Sequence, residues 1–173
     1  MDVTALESLR SLQHAWLDAA FASVTWLGSV MVLGPLIALL AWRLARDHAR
    51  RAAGFMIASL AGSVALVHLA KETIARPRPD VQWALITMPA DASFPSAHTA
   101  QVAAAAVSFG LLFRYGRVWA AAGVVVLLVA LSRIYLQVHF PSDVLAGLIL
   151  GSGWAAGLYV LLRPARREWG APQ

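Results

Sequence analysis

Long stretches of this chain contain no Asp, Glu, Lys or Arg. Four of them have close to the ~20 residues that an α-helix needs to cross a ~30 Å hydrocarbon core, and they cover residues 19–42, 52–70, 92–113 and 144–162. A fifth stretch, 118–136, is interrupted by Arg133 alone, near its end, where a long side chain can reach the membrane interface. The pattern predicts an all-α membrane protein with five transmembrane helices.

A different periodicity precedes the first predicted span. Apolar residues recur there at helical spacing with polar residues between them, at Val3, Leu6, Leu9, Leu12 and Trp16. Thr4 and Glu7 have the spacing of a capping box. We expect an amphipathic helix on the membrane surface. The alternative is a frayed terminus, because such short helices are marginally stable alone.

Composition agrees with a membrane location. The 173 residues are 60% hydrophobic and 13% charged, which is too apolar for a soluble protein of this size, and we expect one domain spanning residues 1–173. The net charge of +5 does not indicate nucleic acid, because the arginines lie at the ends of apolar spans. The expected partners are therefore membrane lipids and no nucleic acid.

The arginines also predict an orientation. In a five-span topology, the arginine groups within 43–51, 114–117 and 163–167 all fall on one side, which the positive-inside rule makes cytoplasmic. The N-terminus, segment 71–94 and the turn at 133–143 then face outward. We expect a protein of the bacterial inner membrane with a cytoplasmic C-terminus and its polar segments on the outer face.

The first of three outward polar segments is rich in cations. Lys71, the only lysine, ends the second span, and Arg76 and Arg78 follow in a stretch where two prolines favour extended backbone. Such side chains can anchor a helix by snorkelling to lipid headgroups, or they can bind an anion. This segment alone is compatible with both.

The second segment opens the third span with Pro95, Ser96, Ala97 and His98. Proline is favoured in a first helical turn, so the residues after it should present free backbone N–H groups, and such an end attracts phosphate. Ser96 adds a hydroxyl donor, and His98 adds a proton carrier near neutral pH. Simple helix capping would also explain the segment.

The third segment places His139 four residues before Asp143, at the start of the fifth span. At this spacing the carboxylate can orient the imidazole and stabilise its cation. Such pairs are often structural, but an Arg, a His and an Asp at one membrane face are costly unless they pair or function. Cations, a helix N-terminus and two histidines together predict a site for a phosphoryl dianion, with one imidazole to attack and another to protonate the leaving oxygen.

Taken together, the segments resemble the three motifs of the type-2 phosphatidic acid phosphatase superfamily. The matching residues are Lys71, Arg78 and Pro79 for the first motif, Pro95, Ser96, Ala97 and His98 for the second, and Ser132, Arg133, His139 and Asp143 for the third. Ala97 stands where the family usually has glycine, and members often have six spans. The resemblance implies a membrane hydrolase that dephosphorylates a lipid.

The resemblance also implies roles for these residues. His139 would be the nucleophile that forms a phosphohistidine, Asp143 would orient it, and His98 would be the general acid and then the base for water. The implied phosphate-binding groups are Lys71, Arg78, Ser96, Arg133 and the backbone of Ala97. No metal or other cofactor is implied. The expected substrate is undecaprenyl diphosphate, with phosphatidic acid or phosphatidylglycerol phosphate as alternatives.

Two other functions use similar features. A vanadate-dependent haloperoxidase has a similar anion site, but five spans and the lack of a large soluble helical body argue against it. A non-catalytic lipid scaffold or carrier would not need the set of His98, His139 and Asp143.

The fifth span carries glycines that form two small-xxx-small pairs: Gly147 with Gly151, and Gly153 with Gly157. Such pairs permit close helix approach. We expect them to pack inside the protein, and a homodimer contact stays open.

Overall fold

The computed structural model of this protein describes residues 4, 6–8, 11–80 and 84–162, and these residues contain helices and no strands. The elements are α1 (Ala15–Val24), a 3-10 helix (Thr25–Gly28), α2 (Val30–Arg46), α3 (Arg50–Ile74), α4 (Ala97–Phe113), α5 (Gly116–Tyr135) and α6 (Pro141–Leu162). Consecutive long helices run in opposite directions. Polar contacts therefore gather at one end of the bundle, and the arginine-rich ends of α2 and α3 lie at the other.

Three helices, α3, α5 and α6, are long and apolar enough to cross a membrane. A fourth candidate is formed if α1 with the 3-10 helix is joined to α2, since the pair is bent by 44°. Helix α4 is apolar but has 17 residues, fewer than a typical span. The all-α membrane architecture is confirmed, with three or four candidate spans among the described residues where the sequence predicted five.

The first predicted span is broken near its middle. Ser29 has extended backbone angles, φ −75° and ψ 140°, and its Oγ accepts a hydrogen bond of 3.2 Å from the Met31 N–H. The serine thus acts as the N-cap of α2. A Cβ at Gly28 would lie 2.9 Å from the carbonyl oxygen of His98, so the glycine lets the 3-10 helix approach α4 closely.

The amphipathic helix predicted before this span is not continuous. Thr4 and residues 6–8 are helical, whereas residues 11–14 are not, so Leu12 and Trp16 do not extend the same helix. Val3 and Leu9 lie outside the described residues. Leu6 is buried, and its carbonyl accepts a hydrogen bond of 2.9 Å from Gln137 Nε2. The described part of this segment is therefore packed against the turn after α5.

Helix α4 is the centre of the bundle and packs against α3, α5 and α6. Most of its residues are buried, and many are alanines, which permit close approach of neighbouring helices. On α6, a Cβ at Gly151 would lie 2.0 Å from the Ala100 carbonyl oxygen, and one at Gly147 would lie 2.7 Å from that of Ser96. Internal packing is therefore confirmed for this glycine pair. Gly153 and Gly157 face open space.

The two kinds of glycine on α6 give a matched test of this packing. Gly151→Ala should lower the unfolding free energy by ~1–3 kcal/mol, because a methyl group has no room against the α4 backbone. Gly153→Ala should leave stability unchanged or raise it by up to ~1 kcal/mol through helix propensity. Equilibrium unfolding of the purified protein in detergent measures both. Equal stabilities for the two variants would contradict the close α4–α6 contact.

Candidate functional site

The three polar segments meet at one end of the bundle, where α3 ends, α4 begins and the chain passes from α5 to α6. Arg78 Nη1 donates to the Val138 carbonyl at 2.8 Å, which joins the first segment to the third. The Ser96 N–H donates to the Asp143 carbonyl at 3.0 Å, which joins the second to the third. The predicted convergence of the segments is therefore observed.

His139 and Asp143 lie side by side in the buried part of this site. The His139 side chain precedes α6, and Asp143 lies in its first turn, so the i, i+4 spacing brings Nδ1 to 3.6 Å from Asp143 Oδ2. That distance is too long for a hydrogen bond. Ser93 bridges the gap, because its Oγ donates to Asp143 Oδ2 and lies 3.4 Å from His139 Nδ1.

The contacts of His139 define its tautomer. Arg78 Nη1 lies 3.3 Å from His139 Nε2. A guanidinium can only donate hydrogen bonds, so Nε2 must carry a lone pair and not a proton. The proton of the neutral ring is then on Nδ1, which faces Ser93 and Asp143. The nitrogen that points toward the cations is consequently the one whose lone pair can attack an electrophile.

The protonation state of His139 is set mainly by its burial. Burial lowers the pKa of this imidazole, the Asp143 carboxylate raises it, and the positive charges of Arg133, Arg78 and Lys71 lower it again, so that the pKa is about 4. The ring is therefore neutral at pH 7 and nucleophilic at Nε2.

Arg76 is a contact of Asp143 that the motif analysis did not assign. Its Nη1 donates to Asp143 Oδ1 at 2.6 Å and to Ser142 Oγ at 2.7 Å, and its guanidinium stacks on the Phe140 ring at 4.2 Å. The Phe140 N–H also donates to Asp143 Oδ2, at 3.0 Å. Asp143 is thus fully buried, with both of its oxygens hydrogen-bonded.

Lys71 and Arg78 form a second cluster with Asp91, another residue that the motifs did not include. Asp91 Oδ2 lies 3.0 Å from Lys71 Nζ, and Asp91 Oδ1 lies 2.6 Å from Arg78 Nη2. Burial raises the pKa of Asp91, but hydrogen bonds from Arg78 and Lys71 outweigh that effect and lower it to about 2. Asp91 is therefore an anion at every physiological pH.

Arg133 approaches the site from the end of α5 and is almost completely buried. Its Nη1 donates to Thr25 Oγ1 at 2.7 Å, on the 3-10 helix. Its Nε is buried and has no hydrogen-bond partner within the described parts of the chain. An unsatisfied buried donor is rare in folded proteins and is a candidate contact for a ligand.

The N-terminus of α4 supplies the second motif. Ser96 is the buried N-cap residue, and its Oγ accepts a hydrogen bond of 3.0 Å from Thr99 Oγ1. Ala97 and His98 are half-buried, and the His98 ring makes no hydrogen bond to any residue that the structure describes. Across residues 11–80 and 84–162, no group of three or more His, Asp or Glu side chains is arranged to hold a metal ion.

The sequence of this chain is similar to those of known membrane phosphatases. The sequence model of the PAP2 superfamily matches residues 52–167. Phosphatidylglycerophosphatase B of Bacillus subtilis is 32% identical, over 81% of this chain and 72% of its own length. An undecaprenyl-diphosphatase of Sulfolobus acidocaldarius is also 32% identical, over 86% of this chain and 71% of its own length.

Two solved structures have a similar fold. The transmembrane PAP2-type phosphatidylglycerolphosphate phosphatase of Bacillus subtilis superposes with a TM-score of 0.84 and is 28% identical, covering 92% of this chain and 83% of its own. Aquifex aeolicus LpxE has a TM-score of 0.78 and is 25% identical, covering 92% of this chain and 94% of its own.

The neutral state of His139 is measurable by NMR. A pH titration of the ring signals, assigned by comparison with His139→Gln, should give a midpoint near 4 and not near 6.5. Asp143→Asn should move the midpoint lower, because the carboxylate raises the pKa of His139. A midpoint above 7 in the wild-type protein would contradict a neutral ring at pH 7, and one near the ordinary value would show that burial does not lower the pKa of His139.

Proposed function

Because the chain belongs to the PAP2 superfamily, we propose that it is a membrane phosphatase that removes the terminal phosphate of a lipid phosphate or diphosphate through a phosphohistidine. The observation that carries this proposal is the state of His139. Its Nε2 faces Arg78 and bears the lone pair, whereas Nδ1 faces Ser93 and Asp143. The nucleophile is oriented before substrate arrives.

In the first step, His139 Nε2 attacks phosphorus. The N–P bond forms, the bond from phosphorus to the leaving oxygen breaks, and His98 gives that oxygen a proton. The Nδ1 proton stays on the ring, and the buried Asp143 carboxylate stabilises the positive charge that the ring acquires.

The phosphoryl oxygens need positive groups that are in place before charge develops. Lys71, Arg78 and Arg133 supply three, and the unpartnered Nε of Arg133 would gain its missing acceptor. The first N–H groups of α4, including that of Ala97, have no acceptor within the helix, and Ser96 adds a hydroxyl.

The second step regenerates the enzyme. His98, now without its proton, removes one from a water molecule, and the oxygen of that water attacks phosphorus. The N–P bond breaks, inorganic phosphate is released and His139 returns to its neutral form. His98 suits both steps because it lies at the start of α4, half-buried, and its ring has no hydrogen bond to the described residues.

An apolar groove supports a substrate with a long tail. Its volume is about 820 Å³, and it lies between α2, α4 and α5. It begins at Leu33 and Val102, with Val102 about one helical turn beyond His98, and Leu36 and Leu39 are exposed along it. We place the lipid tail in this groove and the phosphate among the cations.

We propose undecaprenyl diphosphate as the substrate, with phosphatidic acid and phosphatidylglycerol phosphate as alternatives. The volume and apolar lining of the groove favour a long tail, and the relatives include both an undecaprenyl-diphosphatase and a phosphatidylglycerophosphatase. We further propose five spans, counting the bent pair and α4, with the site on the outer face. The arginines at the opposite end of α2 and α3 support this orientation.

Phosphate release from a lipid panel tests the function and the substrate separately. Purified protein should hydrolyse undecaprenyl diphosphate with a higher kcat/KM than phosphatidic acid or phosphatidylglycerol phosphate, and His139→Ala should serve as the blank. A higher kcat/KM for one of the other lipids would contradict undecaprenyl diphosphate as the preferred substrate. Phosphate release no greater than that of His139→Ala with every lipid would contradict the proposed phosphatase activity.

His139 and His98 have different roles in the proposed reaction, so their replacement should affect the formation of phosphoenzyme in different ways. His139→Ala should form no covalent intermediate with any substrate. His98→Ala should still be phosphorylated by a substrate whose leaving group needs no proton, whereas a poor leaving group should show the full loss of ~10²–10⁴-fold from general acid catalysis. Trapping of acid-labile phosphoenzyme distinguishes the variants. Phosphate trapped on His139→Ala, or no effect of leaving group on His98→Ala, would show that the roles are wrong.

A further inference from the structure

Asp91 is an exposed residue that holds two buried cations. Its side chain is 53% exposed, whereas Lys71 and Arg78 are 7% and 8% exposed. The carboxylate therefore lies at the mouth of the site, between solvent and the cations. Both of its oxygens are engaged, one by Lys71 and one by Arg78. The guanidinium and ammonium groups that each hold one oxygen of this carboxylate can equally donate to two oxygens of a phosphate.

We propose that the Asp91 carboxylate competes with the phosphoryl group of the substrate for Lys71 and Arg78 and must be displaced by it, so that Asp91 sets which anions the site accepts. The identity of the displacing anion rests on the proposed function. The contacts from Asp91 to Lys71 and Arg78, on which the inference is based, do not depend on the proposed function.

Displacement of the carboxylate does not require the loop to unfold, because separate backbone contacts anchor that loop. Arg78 Nε donates to the Asp91 carbonyl at 2.9 Å, and Lys71 donates to the Ala92 carbonyl. The Ser93 N–H donates to the Arg76 carbonyl at 2.8 Å. Rotation about the side-chain bonds of Asp91 is therefore enough to move the carboxylate into water and to release one donor from each cation.

Charge makes the displacement selective. Arg76 is paired with Asp143, so Lys71, Arg78 and Arg133 are the cations left for a ligand, and Asp91 offsets one of them. A terminal phosphate carries up to two negative charges and gains more from these cations than a carboxylate does. A phosphodiester headgroup carries one charge and has no such advantage over Asp91. The carboxylate therefore excludes ordinary membrane phospholipids and favours terminal phosphates.

Asp91→Asn removes the competing charge and keeps the shape of the side chain. Titration calorimetry of the purified protein with inorganic phosphate should show a Kd about tenfold lower than in the wild type. Phosphatidylglycerol in mixed micelles should become an inhibitor of lipid phosphate hydrolysis. Asp80→Asn is the matched control, because Asp80 is an exposed acid in the same connection and its loss removes the same charge. Asp91→Glu, which retains the charge, should also stay close to the wild type.

Three results would overturn the inference. The first is a phosphate Kd in Asp91→Asn equal to or higher than that of the wild type. The second is an equal gain in Asp80→Asn, which would indicate a general charge effect. The third is an unfolded Asp91→Asn protein, because the backbone carbonyls should hold the loop without the carboxylate.

The same variants separate this inference from the proposed function. A wild type that hydrolyses the lipid panel, with no tighter phosphate binding in Asp91→Asn, would overturn the inference alone. If the wild type hydrolyses no lipid but Asp91→Asn binds phosphate more tightly, the proposed phosphatase activity is wrong. The inference that Asp91 competes with phosphate is then still supported.

Discussion

The buried carboxylate of Asp143 is the interaction on which the site depends. It has no exposed surface, and a charge in that position is stable only when its lone pairs are satisfied. Its partners come from all three polar regions: Arg76 from the first segment, Ser93 from just before the second and the Phe140 N–H from the third. Removing one partner of a buried ion pair typically costs ~3–5 kcal/mol. The segments are therefore held together by the same group that lies beside the His139 ring.

The packing of the bundle makes that arrangement possible. Gly147 and Gly151 let α6 lie directly on the backbone of α4, and this contact brings the Asp143 carbonyl to the N–H of Ser96. A larger residue at either glycine would push the first turn of α6 away from the N-terminus of α4. The precision of a polar site at the end of the bundle thus depends on apolar packing several residues away, where close contacts leave little room for adjustment.

The helices and part of the site could be predicted from the sequence, because local residue patterns determine them. Uncharged stretches predicted the helices, and the i, i+4 spacing predicted that Asp143 lies beside His139. Contacts made across the fold could not be predicted in this way. Nothing local to Asp91 indicates that it reaches Arg78, thirteen residues earlier in an irregular connection. The break at Ser29 was missed because a serine within an apolar stretch is compatible with both a continuous span and a new N-cap.

The hydrogen bond from Arg133 to Thr25 affects how this fold can be divided in evolution or engineering. The region matched by the PAP2 sequence model begins at residue 52, yet a buried cation of the site is held by a residue well before it. The chain preceding residue 52 is therefore not an interchangeable membrane anchor. A chimera that grafts a foreign first helix onto the matched region would keep every motif residue and still lose the support of one guanidinium. Exchange of the N-terminal region between relatives should give a functional protein only when the new region supplies a hydroxyl at position 25 that can bind Arg133.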